Sequence, residues 1–210
     1  MEKIQIKSID GKILFDNEKE NFNTIKDAVV EAVKSKADLS KADLSGADLQ
    51  EADLRQVDLH MANLYMANLY MANLSKANLY MANLSKADLR QANLQQANLY
   101  MANLSKANLN TANIVKANLS KADLSGAIMS GLIIKKAIVF HDLYKYVVIP
   151  FISDSGDKYV KMGCFVRTIE EWEKDFWNNN TEFPNDGSEK SNARLFAFQT
   201  AKKWFETIKI

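Results

Sequence analysis

The chain has 210 residues, 47% hydrophobic and 25% charged, with 27 lysines and arginines against 26 aspartates and glutamates, which suits one globular domain or a repeat rod with small appendages. It holds no run of about 18 apolar residues to span a membrane. The opening Met1-Glu2-Lys3-Ile4 does not read as a signal peptide, and Cys164 stands alone, which leaves no disulfide framework or cysteine metal cluster. The expectation is a cytoplasmic, bacterial-style protein.

Residues 3–16 predict a hairpin. Ile4 and Ile6 alternate with polar residues, Asp10-Gly11 is a favoured two-residue turn, and Ile13-Leu14-Phe15 returns. A helix comes next, capped by Thr24, with Ile25, Ala28, Val29, Ala32 and Val33 forming one apolar stripe.

From Ala37 to about Val139 a five-residue unit recurs without insertion. Leucine, or Ile114 once, holds every fifth position from Leu39 to Leu124, eighteen units in all; alanine lies two residues earlier except at Val57, and Asp or Asn lies between them. On an α-helix a step of five would scatter the leucines over every face. On a straight strand they would point to opposite sides in turn. The spacing works if Ala and Leu face inward from a short extended segment, Asp or Asn faces outward, and the next two residues turn a corner.

Tandem A-(D/N)-L-x-x resembles the pentapeptide-repeat family. The resemblance implies an all-β solenoid, a right-handed quadrilateral β-helix with four units per coil; echoes at both ten and twenty residues in the sequence leave that number open. With four, residues 37–139 make about five coils, roughly 25 Å tall at the spacing of paired strands. Each inward Leu contributes about 1.5–3 kcal/mol by burial. Alanine at the second inward position reads as a size limit, so no ligand cavity is expected inside. The preceding helix is placed to cover the first coil, because an open end exposes leucines and strand edges. The expected organisation is therefore residues 1–36 as a hairpin and capping helix, 37–140 as the β-helix, and 141–210 as a small α+β module.

The outer positions are where function would show. The Asn series from Asn63 to Asn118, interrupted by Asp88, is expected to form ladders between coils. Tyrosine or histidine precedes methionine at His60-Met61, Tyr65-Met66, Tyr70-Met71, Tyr80-Met81 and Tyr100-Met101. With four units per coil, Met61, Met81 and Met101 stack beside His60, Tyr80 and Tyr100 in one apolar stripe, the candidate contact surface. The last units place Ile128, Ile133 and Ile138 at the outward position, and a cover by the C-terminal segment is expected there.

Residues 141–210 predict strands at Tyr144–Ile152 and Lys158–Val166 around a Ser153-to-Asp157 turn, an aromatic helix at Ile169–Trp177, a loop, and a final helix capped by Ser191 and running to Lys209. His60 and His141 are the chain's two histidines, which leaves a triad or zinc site almost nothing to draw on; His141 beside Asp142 reads as a structural pair and Cys164 as buried. Asp154, Asp157 and Asp186 lie in predicted loops but match no calcium-loop pattern. No cofactor or catalysis is expected.

The function expected is that of a non-enzymatic interaction or scaffold protein whose partner is another protein or a second copy of itself. The alternative comes from the resemblance: some members present a DNA-like acidic rod to DNA gyrase. Such mimicry needs dense negative charge along the surface. Here the acidic residues cluster in the first coil (Asp38, Asp43, Asp48, Asp53, Asp58) while residues 37–140 are slightly basic, and the lysines scatter over different sides, which argues against direct nucleic-acid binding.

Overall fold

The computed structural model describes residues 4–16, 22–140, 147–163, 165–175 and 188–208. It divides into two compact units, residues 1–131 and 132–210. The readings made for His141, Asp142, Tyr144, Cys164, Phe176, Trp177, Asp186 and Lys209 fall outside the described residues.

In the first unit, β1 (Ile6–Lys7) pairs antiparallel with β2 (Ile13–Phe15). The turn is longer than predicted. Ser8 and Lys12 close it around three residues, with Gly11 in the left-handed region at φ +81°, so glycine's missing Cβ is needed there. Helix α1 (Ile25–Lys34) begins as the sequence predicts: Thr24 Oγ1 accepts from the Asp27 amide at 3.1 Å, and Asp27 returns a carboxylate to the Thr24 amide at 3.0 Å. It buries Ala28, Val29 and Ala32 completely. It ends in a Schellman motif, with Ala37 donating to the Ala32 carbonyl, Lys36 donating to Val33, and Lys36 left-handed at φ 57°.

Lys36 also sets the phase of the repeats. The fifth residue of successive units, including Lys41, Met61, Lys76, Met81, Met101 and Lys121, is left-handed at φ of 55–60°. At each such corner the Leu carbonyl accepts from the next Ala amide, as Leu64 does from Ala67 at 3.0 Å, and a left-handed third residue is what a type II turn requires. The chain thus bends once per unit. Each outward Asp or Asn pairs in parallel with the residue twenty positions ahead, from Asp43 with Asn63 to Asn108 with Ile128. Four units therefore complete a coil. The backbone is satisfied between coils: Leu64 donates to Asn83 O (2.7 Å), Asn83 to Ala62 O (2.9 Å) and Met66 to Ser85 O (3.0 Å).

The inward set is dry. Leu39 through Leu124, with Ile114 in their series, are all buried, as are the alanines from Ala42 to Ala107 and Val57. In the last coil Ala112 and Ala122 become half-buried.

The Asp/Asn column does two jobs. Its Oδ1 accepts the amide two residues on, closing an Asx turn, as Asp38 does for Ser40 (2.9 Å) and Asn103 for Ser105 (2.9 Å). Its Nδ2 donates one coil back, as in Asn63 to Asp43, Asn83 to Asn63, and Asn98 to Asn78. The ladder has a direction, so its lowest rung needs only an acceptor. Asp43 and Asp48 fill that rung on their sides, and Asp58, one coil above Asp38, likewise accepts from Asn78. Where Asp88 interrupts the series it is clasped by Arg90, with contacts of 2.6–3.0 Å.

Strand edges at the start of the rod are also occupied. Asp43 donates its amide to Lys7 O, and Ile9 donates to Lys41 O, both at 2.8 Å, which seats the hairpin against one side of the first coil. The coil geometry stops earlier than the five-residue spacing in the sequence. After β3 (Ile128–Met129), Ser130 and Gly131 are both at positive φ, and the Gly131 amide donates to Asn110 Oδ1 at 2.8 Å. The stretch 132–140, expected to continue the rod, instead opens the second unit.

In that unit β4 (Leu132–Ala137), β5 (Val148–Ser153), β6 (Lys158–Met162) and β7 (Phe165–Thr168) form an antiparallel sheet in that order. β4 is extended, so period two replaces period five: Ile134 is fully buried while Ile133 remains 42% exposed. Ile138, just past the strand, is also exposed, at 37%. The predicted strand Lys158–Val166 is two strands, broken at Gly163, whose φ is +62°. Helix α2 (Ile169–Asp175) and helix α3 (Glu189–Thr207) complete the unit, with Ser188 rather than Ser191 as the cap of α3; Ser191 supplies the amide that Ser188 accepts. Trp172, Phe198, Ala201 and Phe205 pack with Val148, Ile152, Val160 and Met162, and Trp172 Nε1 donates to Val160 O at 2.8 Å.

Candidate interaction surface

Because coils repeat at twenty residues, His60, Tyr80 and Tyr100 fall in one column and Met61, Met81 and Met101 in the next. Tyr80 and Tyr100 stack with ring centroids 5.9 Å apart and planes 10° from parallel. The three methionines are 38%, 40% and 43% exposed. Their backbones are locked by the coil bonds, Met61 to Tyr80 O and Met81 to Tyr100 O, so an adaptable thioether side chain stands on a rigid support. His60 is tied at its Nδ1 to Asp58, 3.0 Å away. All six predicted residues thus lie on one strip.

Sequence reasoning missed how this strip is bounded. The methionine column continues below to Lys41 and above to Lys121, both exposed. The Lys121 ammonium sits 5.4 Å over the Tyr100 ring, and its hydrogen bond with that tyrosine raises its pKa above the ordinary lysine value. The same pairing recurs on two other sides: Lys86 lies over Tyr65 and reaches its hydroxyl at 2.8 Å, and Arg90 lies over Tyr70. The signal was present in the sequence as a cation 20 or 21 residues after an aromatic. It becomes readable only once the coil length is known. Met66 and Met71, at 55% and 47%, are more exposed than the strip itself and extend it around the second coil.

Charge is also sorted along the axis. From Ala37 to Asp58, six acidic residues face Lys41 and Arg55, a net of four negative charges; from Leu59 to Gly131, six basic residues face Asp88 and Asp123, a net of four positive. Arg55 lowers the Asp53 carboxyl below its usual range through a hydrogen bond, and Arg90 does the same for Asp88.

Elsewhere, a cleft of about 640 Å³ lies between α1 and the first coil, lined by Val30, Val33, Val57, Asp53 and Arg55 among others. In the second unit, Asp154 accepts from the Ser155 amide and Asp157 from the Ser155 hydroxyl, so both carboxylates serve the β5–β6 turn. Among the described residues no three His, Cys, Asp or Glu side chains gather in a metal-binding group. Among them, too, no helix is long and apolar enough to cross a membrane.

Residues 37–70, 72–110 and 92–131 match the family described as Pentapeptide repeats, in eight copies. No curated protein matches the chain. Among solved structures, it is similar to a pentapeptide repeat protein from the cyanobacterium Cyanothece 51142, at 41% identity over 39% of this chain and 55% of that one, with a TM-score of 0.38. It is also similar to one from the Arabidopsis thaliana thylakoid lumen, at 32% identity over 43% and 67%, TM-score 0.30. A third is the plasmid-mediated fluoroquinolone resistance protein QnrB1, at 23% identity over 42% and 59%, TM-score 0.20. The match to the Cyanothece protein thus spans little more than half of that protein's length.

Proposed function

For a chain that belongs to the pentapeptide-repeat family through residues 37–131, we propose a non-enzymatic, cytoplasmic role as a protein-binding scaffold, with the strip of His60, Met61, Tyr80, Met81, Tyr100 and Met101 as its contact. The observation that carries this reading is the exposure of Met61, Met81 and Met101 on a rod whose inward leucines are buried from end to end. With leucine and alanine filling the axis, the outer faces are what the repeats offer to a partner. Aligned methionines exposed along one strip mark a contact surface. In this reading α1 and the hairpin act as the lid of the first coil, supported by the buried Ala28, Val29 and Ala32, by Lys26 Nζ donating to Gln50 O, and by the Lys7 and Ile9 pairings.

The test replaces Tyr80, Met81, Tyr100 and Met101 with Ser and Lys. The expected result is unchanged melting with loss of partner or dimer retention on a column; association that persists would remove this surface as the contact.

A second reading, modulation of DNA gyrase by charge mimicry, draws on the six acidic side chains of the first coil. The ladder gives three of them, Asp43, Asp48 and Asp58, another reason to be acidic, and the later coils carry the opposite sign. Unaltered supercoiling by purified gyrase at micromolar protein would reject it.

A further inference from the structure

We propose that the strip is occupied by a second copy of the chain, lying antiparallel across a two-fold axis at Tyr80-Met81. The proposal rests on the reading of the strip as a protein contact and names its occupant.

Three observations carry it. The strip is symmetric about its middle coil: the column reads Lys41, Met61, Met81, Met101, Lys121, with Ser40, His60, Tyr80, Tyr100, Ser120 beside it. A two-fold axis in the contact plane, perpendicular to the rod, sets Met81 against its own copy, Met61 against Met101, and His60 against Tyr100. Methionine then meets methionine and the aromatic column meets itself over the three middle coils, the self-complementarity an isologous interface needs, while Lys41 stands opposite Lys121 at each end of the strip.

The second observation is the axial charge. The antiparallel arrangement lays the acidic first coil, net four negative, beside the partner's later coils, net four positive. A parallel arrangement would lay like charge on like. Complementary potentials of this kind select orientation and suppress the wrong register. At the ends of the strip Lys121 of the second copy comes opposite Lys41, a like-charge contact set between Asp38 and Asp43, so the preference for this orientation comes from the axial sorting of charge and not from the end contacts.

The third is rigidity. Every methionine on the strip sits at a left-handed corner whose backbone is bonded to the next coil, so little backbone order is lost on docking. A strip this narrow is below the area of a standard stable interface, so the dimer is weak and concentration-dependent.

The experiment uses the full chain with Cys164→Ser, single cysteines on the strip, and sedimentation velocity across micromolar concentrations. Under mild oxidation, Met81→Cys is expected to cross-link to itself and Met61→Cys to Met101→Cys in a mixture, while Met61→Cys alone stays monomeric. Met81→Arg, which sets two cations against each other at the axis, is expected to raise the dimer dissociation constant at least about tenfold. Met61→Cys linking to itself and not to Met101→Cys would overturn the antiparallel register. Cross-linking no greater than that of Gln95→Cys, on another side of the rod, would overturn the contact. A wild-type chain that stays monomeric, or one that binds a different protein there instead, overturns self-pairing while leaving the column test of the strip to stand or fall separately. A dimer indifferent to Met81→Arg and to the Ser and Lys replacements overturns both.

Discussion

Asn63 donates its side-chain amide to Asp43 Oδ1 across 3.0 Å, although the two residues are twenty positions apart in the chain. Asn83 repeats the bond to Asn63 at 3.1 Å. Each rung therefore donates downward, and only the bottom rung can be an aspartate without leaving an acceptor facing an acceptor.

That polarity predicts an asymmetric effect of a one-atom change. Asn63→Asp sets a carboxylate against the Asp43 carboxylate and should cost about 1–3 kcal/mol at neutral pH, the scale of a lost bond with unmatched groups. The like charge raises the new carboxyl's folded-state pKa, so the deficit should shrink as pH falls and that group becomes protonated. Asp43→Asn, at the ladder's foot and open to water, should change far less. Urea unfolding of the two variants across pH checks both statements.

Leu79 is fully buried in the middle of the rod. Leu79→Ala should cost about 2–5 kcal/mol, because the stacked coils restrict collapse into the space left behind. Ala82→Leu, at the neighbouring buried alanine position, should also destabilise, by about 1–3 kcal/mol, through overfilling. If chemical denaturation finds Ala82→Leu neutral, the axis is not filled as described.

Thr111 holds a left-handed corner at φ 60° with a β-branched side chain, a combination that sterics disfavour. Thr111→Asn should raise stability by about 0.5–1 kcal/mol, since asparagine tolerates that region. The reverse change at another corner, Gln91→Thr, should lower it by a similar amount. Paired thermal melts give the comparison.

Arg90 holds the Asp88 carboxyl below its ordinary range, chiefly through their hydrogen bonds. A carboxyl depressed in the folded state contributes stability that is present above the unfolded-state pKa and lost as pH falls through the folded one. Removing the guanidinium with Arg90→Ala should therefore flatten this part of the acid limb of the stability profile. The loss should also be smaller in high salt, where an exposed pair is already screened. A pH series of melts for wild type and variant tests this.

Ile6 is 1% exposed within the hairpin whose Lys7 pairs with the first coil. Ile6→Asp should free that edge and lead to dye-binding aggregates while the coils above keep their structure. Aggregation-free behaviour in light scattering would remove the hairpin's role as an edge cover.

Much of this was legible from residue identity alone. The inward positions, the outward Asp/Asn, the corner per unit and the Thr24 cap all come from local rules, because side-chain direction and turn sterics depend on a few neighbouring residues. The six strip residues were found the same way, once four units per coil was assumed from the family. The end of the rod was not legible. Leu132, Ile134, Ala137 and Val139 keep the aliphatic spacing of five, yet Ser130 and Gly131 turn the backbone away, and β4 then pairs with β5.

What the sequence by itself determined is which side of the backbone is dry, since a period of five with small and large aliphatics two apart has one compact solution. Tertiary structure decided which residues share a column, the direction of the asparagine ladder, the cations set over Tyr65, Tyr70 and Tyr100, and the point where coil gives way to sheet. Those features depend on partners about twenty residues away or on strand pairing in the second unit. Hydrogen bonds at such separations are settled by how the whole chain closes, and no short stretch of sequence contains both of their ends.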